Sequence, residues 1–108
     1  MVRQIIETNA YSTFLLGLKA PETKRQWPKR FKFFLDFVEI PGTCLEERVN
    51  LLYEIVQKEG SSWLQKQLID FVFFQKSRVE KKEISESTVS NYFKPVKLFC
   101  DMNNILVN

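Results

Sequence analysis

Histidine is absent from the 108 residues. That removes Ser-His-Asp triads, HExxH metal sites and the side chain that most often shuttles protons near neutral pH. Cysteine is nearly absent: Cys44 and Cys100 stand far apart and form no CxxC pair. Two thiols without imidazoles cannot complete a usual zinc site, so no metal and no cofactor is expected. Only three glycines occur, at Gly17, Gly42 and Gly60, too few and too scattered for a phosphate-cradling loop. Long apolar runs are missing as well. The longest, such as Phe71–Phe74, fall far short of the ~20 residues a spanning helix needs. Residues 1–20 lack the basic-then-apolar layout of an export signal, so a reducing cytoplasm and free, buried thiols are expected.

What is present is a core. Hydrophobic residues make up 44% of the chain and aromatic ones 14%, including ten Phe. That is enough for one packed domain and too apolar for a disordered chain. The net charge of +3 is modest, but it is unevenly spread. Residues 19–32 carry Lys19, Lys24, Arg25, Lys29, Arg30 and Lys32 against the single acid Glu22. Residues 33–59 reverse the sign, with Asp36, Glu39, Glu46, Glu47, Glu54 and Glu59 against Arg48 and Lys58. One basic patch on a nearly neutral protein suits a polyanion, or is simply a solvated helix face.

Apolar spacing reads as helix throughout. A short leading helix is expected near 9–18, carried by Tyr11, Phe14, Leu15 and Leu18 and bracketed by Gly17 and Pro21. Trp27, Phe31, Phe34 and Val38 make one stripe over roughly 22–39. Pro28 predicts that this helix starts late, near Arg25, or bends at Trp27. After Pro41-Gly42, Thr43 to Glu46 reads as a capping box for a helix near 44–59, with Leu45, Val49, Leu52 and Val56 inward. Gly60-Ser61-Ser62 breaks the chain. From 62 to about 83, Leu64, Leu68 and Val72 share a side with Ile69 and Phe73 beside it, which predicts a helix buried on most sides. Ser85 caps a last helix near 86–103 carrying Val89, Tyr92, Val96, Phe99 and Met102, with Pro95 inside it. The expected architecture is all-α, with four main helices and a short extra one in front.

Two of these helices resemble each other. Residues 23–37 superpose on residues 88–102 at a constant offset of 65. Thr23/Thr88, Lys29/Lys94, Lys32/Lys97, Phe34/Phe99 and Asp36/Asp101 are identical, and Trp27/Tyr92 and Phe31/Val96 are similar. A Thr at a helix start offers a hydroxyl beside free backbone N–H groups, which favours phosphate. A Lys further along adds charge that releases counterions on binding. Trp27 and Tyr92 fall on the stripes and read as core rather than as stacking platforms. Lys81 and Lys82 lie on a connector and read as solvated. Tyr11, Tyr53 and Tyr92 lack the Arg and His that a nucleophilic tyrosine needs.

Certain stretches carry a family likeness over roughly residues 10–107: Phe14-Leu15 before Pro21-Glu22-Thr23, the spacing of Trp27, Phe31 and Phe34, the segment Leu68 to Phe71, and above all Ile84 to Lys94 followed by Lys97 to Met102. They resemble the core-binding (SAM-like) domain at the N-terminus of tyrosine recombinases of the phage-integrase type, especially archaeal ones. The resemblance implies residues 1–20 as an N-terminal arm with a short helix and residues 21–108 as a four-helix core-binding domain. That domain would form the major-groove half of a C-shaped clamp on duplex DNA. The catalytic half, with its Arg, His and Tyr, would be a separate domain, so this chain is expected to bind DNA and not to cut it. Carried over by position, Thr23, Lys24, Lys29 and Arg30 would face DNA, with Arg25 in the same basic group. So would Ser87, Thr88, Ser90, Asn91, Lys94 and Lys97. Pro28 and Pro95 depart from the family's regular helices. The implied partners are double-stranded DNA and, in a longer parent, other recombinase protomers; the isolated domain is expected to be a monomer off the membrane. Two rivals stay open: a helix-turn-helix repressor, since Ser85 to Tyr92 looks like a recognition-helix start, and a helical protein-interaction module using the acidic helix near 44–59.

Overall fold

A computed structural model describes residues 9–107. It contains five α-helices: α1 (Ala10–Leu16), α2 (Pro21–Val38), α3 (Leu45–Glu59), α4 (Ser61–Glu80) and α5 (Glu86–Met102). No strand occurs among the described residues. None of their helices is long and apolar enough to cross a membrane.

The four main helices and the short leading one are where periodicity predicts them, but several details differ. α2 begins at Pro21 and not near Arg25. Ala20 is extended and Pro21 occupies the first turn, where a missing N–H costs nothing. Pro28 then lies inside the helix and withholds a donor from the carbonyl of Lys24. The expected capping box at Thr43–Glu46 does not form. Cys44 is the N-cap of α3 and makes no side-chain cap bond, while the Thr43 hydroxyl bonds the Glu47 carboxylate instead. α5 is capped as expected, with the Ser85 hydroxyl accepting from the Thr88 amide at 3.3 Å. The α3–α4 joint is one residue, Gly60, at φ 94, a region that side chains disfavour.

α2 and α5 are the most extensively packed pair, and α1 lies across α3 and α5. The centre is a chain of phenylalanines. Phe14 meets Phe31 edge-on at 5.0 Å, and Phe31 meets Phe99 at 5.3 Å. Phe34 meets Phe71 in the same manner at 5.1 Å. All five rings are fully buried, each stabilising the fold by roughly 1.5–3 kcal/mol through area alone. Leu52, Leu64, Val49 and Val96 fill the gaps. α1 is therefore part of the same core, through Ala10 and Phe14, with Leu18 just after it.

α4 is not buried on most sides. Its inward line runs through Leu64, Phe71 and Gln75, while Ile69 is 48% and Phe73 67% exposed. Leu68 and Val72 are half-buried at its edges. The thiols also divide. Cys100 is buried, and burial with the neighbouring Asp101 pushes it up to about 12. Cys44 is exposed, against expectation.

Candidate nucleic-acid interface

The offset of 65 between α2 and α5 holds in three dimensions. Their N-caps, Ala20 and Ser85, are themselves 65 apart. Phe31 and Val96 occupy equivalent positions and are both buried, as are Phe34 and Phe99. The equivalent pairs Lys32–Asp36 and Lys97–Asp101 each close an i,i+4 ion pair at 3.1 Å. Thr23 and Thr88 are both third residues of their helices. The two helices are thus built alike and packed on each other.

Their packing leaves a groove on either side. The first, of about 290 Å³, is lined by Gln26, Lys29, Arg30 and Phe33 of α2 and by Thr88 and Tyr92 of α5. The Phe33 and Tyr92 rings meet at 4.9 Å. The second, of about 170 Å³, is lined by Trp27 of α2 and by Lys94, Lys97, Leu98 and Asp101 of α5. Trp27 and Tyr92 both pack against the core while showing an edge to a groove.

The sequence-predicted residues divide by how freely they can serve a ligand. Lys24, Lys29, Arg30 and Lys94 have no carboxylate within 4 Å among the described residues, so their charge is available. Arg25 is engaged by Glu22, with contacts of 2.8 to 3.3 Å. The hydrogen bond holds the Glu22 carboxyl below its usual range and raises the guanidinium. Lys97 is tied to Asp101.

At the start of α5, Ser85 bonds the hydroxyls of Ser87 and Thr88, and the Ser90 hydroxyl donates to the Ser87 carbonyl. The Thr88 amide is capped by Ser85, so one of the N–H groups expected to be free there is taken. α2 has no capping side chain, so the exposed amides near Thr23 fit that expectation better. Asn91 is half-buried and its side chain bonds no other described residue. Thr23 and Lys24 stand at the N-terminal end of α2; Ser87, Ser90 and Asn91 line neither groove.

Sequence reasoning missed two cations. Arg48, in the acidic stretch, is nearly enclosed: it bonds Asp36 at 2.8 Å and the Ile40 carbonyl at 2.8 Å, fastening α3 to the end of α2. Arg78 of α4 lies over the Phe33 ring at 4.9 Å and near the Tyr92 ring at 5.8 Å, the two rings that line the first groove. The aromatic content of the neighbouring stretches was the available signal, but which rings would meet Arg78 depends on tertiary packing. No group of His, Cys, Asp and Glu among the described residues could hold a metal.

No family model matches this chain, and no curated protein or solved structure matches it.

Proposed function

We propose that this protein binds duplex DNA along the α2–α5 grooves, as the core-binding half of a tyrosine-recombinase clamp with a SAM-like four-helix arrangement. The observation that carries the reading is the meeting of Lys29 and Arg30 with Thr88 in one groove, without a carboxylate partner for either cation. Surface cations are commonly neutralised by nearby acids, as Lys32, Lys66 and Lys97 are here. Cations held on a rigid helix pair and left unpaired suit a phosphate backbone. The likeness of Ile84 to Lys94 to the recombinase domain supports the same conclusion. On this reading the chain contacts DNA and performs no chemistry.

The test is binding to random duplex DNA at two salt concentrations, followed by fluorescence anisotropy. If Lys24, Lys29, Arg30 and Lys94 each neutralise a phosphate, affinity falls roughly a hundredfold between 50 and 200 mM salt. No binding at the lower salt refutes the proposal. The helix-turn-helix reading draws support from Lys82, whose left-handed φ of 63 makes the tight turn before α5 that a glycine usually supplies. It requires a symmetric dimer with half-sites about one turn apart, so a monomer by sedimentation decides against it.

A further inference from the structure

Gln75 is a polar side chain in an aromatic setting, one turn beyond Phe71 and fully buried. Its Oε1 accepts from Nη1 of Arg78 at 2.8 Å, while its Nε2 has no partner. A buried amide with an orphan donor is costly, and such a group calls for a reason. Here its visible effect is to fix Arg78. The guanidinium is held further by three rings: Phe33 at 4.9 Å, Tyr92 at 5.8 Å and Phe74 at 6.0 Å. No carboxylate lies within 4 Å of it among the described residues. Arg78 is therefore half-buried, restrained on aromatic faces and left with unused donors in a planar fork.

We propose that Arg78 is a further anchoring cation for the DNA phosphate backbone and that Gln75 is its positioning residue. The inference rests on the DNA reading above. A guanidinium already immobilised loses little freedom when it takes two phosphate oxygens, which a flexible lysine cannot match. Its place beside Phe33 and Tyr92 extends the charge of Lys29 and Arg30 from α2 to α4. The chain then offers cations from α2 and α4 around one aromatic centre. Retaining an imperfectly satisfied glutamine fits a trade of stability for function.

Binding to random duplex DNA by the full chain, with melting temperature measured alongside, tests both roles. Gln75→Met removes the orphan amide at similar volume. We expect an equal or higher melting temperature and an affinity lowered about threefold. Arg78→Met should lower affinity roughly tenfold and reduce the salt slope by about one. Arg78→Lys should keep the slope without recovering the affinity. A purely structural Arg78 gives the opposite pattern: melting shifts, while affinity and slope stay fixed in all three variants. That result overturns the inference alone, provided Lys29→Ala with Arg30→Ala still weakens binding. If the unmodified protein binds no duplex at low salt, the DNA reading falls and this one with it. Should Arg78→Met fail to fold, the Gln75→Met and Arg78→Lys variants decide.

Discussion

α2 and α5 share a register, a buried face and an ion pair, yet they present different surfaces. α2 carries Lys24, Arg25, Lys29, Arg30 and Lys32, and it opens without a capping side chain at Ala20. α5 carries only Lys94 and Lys97, and its first turn is a closed set of hydroxyl bonds around Ser85. The same scaffold is used once for charge and once for order. In a polyanion-binding domain this asymmetry separates two tasks. Charge sets affinity for any backbone, whereas a fixed first turn holds neighbouring side chains in place. On the proposed DNA reading, Thr88 and Asn91 of the ordered helix are the candidates for any sequence preference.

The largest effects should show the shared part of the design. Phe34→Ala and Phe99→Ala occupy matching, fully buried positions. Each should destabilise by about 3–5 kcal/mol in urea unfolding, because each leaves a ring-sized cavity in a close-packed core. A loss below about 1 kcal/mol at either site would show that the core does not depend on both helices alike.

The next contrast concerns charge. Lys29→Ala with Arg30→Ala should lower the salt slope of DNA binding by about two, and Lys94→Ala by about one at most. Equal effects from the single and the double variant would abolish the division of labour. A third contrast concerns the caps. Ser85→Ala should cost about 1 kcal/mol by releasing the Thr88 amide. Ala20→Ser should stabilise by up to a similar amount, since Ala20 already has the extended backbone of a cap, at φ −76 and ψ 146. If Ala20→Ser also weakens DNA binding, the open amides of α2 serve the ligand.

The helices were legible in the sequence because each has an unbroken apolar stripe and a clear breaker at its ends. Pro41-Gly42 and Gly60 are such breakers, and Ser85 is a cap whose hydroxyl has an amide to satisfy. The turn of α4 about its axis was not legible. Phe71, Val72, Phe73 and Phe74 are apolar in every direction, so periodicity cannot say which of them faces inward. The buried neighbour that would have decided it is Gln75, a polar residue. The start of α3 was misread by one position because Thr43 has the chemistry of a cap, while the chain turns helical only after Cys44. Of the candidate site, the unpaired cations could be proposed from their sequence alone. Their separation from paired ones could not, because Arg25, Lys32 and Lys97 look the same until rotamers place a carboxylate beside them. Arg78 was invisible for a similar reason, since its rings come from three helices.

The smallest contrast is the sharpest test of how far the likeness of the two helices extends. Asp36 and Asp101 are equivalent and each receives a lysine at 3.1 Å. Only Asp36 also receives Arg48, whose side chain is 12% exposed and which bonds the Ile40 carbonyl as well. Partial burial pushes the Asp36 carboxyl up, but hydrogen bonds from Lys32 and Arg48, with their charges, outweigh it and hold it below its ordinary value of 3.8. A carboxyl whose folded pKa is depressed contributes stability that is present above its unfolded value and lost as pH falls through the folded one. Below about pH 4 the native protein should therefore lose stability through Asp36. Both carboxylates are about half exposed, so solvent screening keeps the effect small, at most about 1 kcal/mol. Asp36→Asn should flatten the stability curve below pH 4. If the curve keeps its shape in that variant, the Arg48 pair adds nothing, and the end of α2 is held to α3 by the Ile40 carbonyl bond and packing alone.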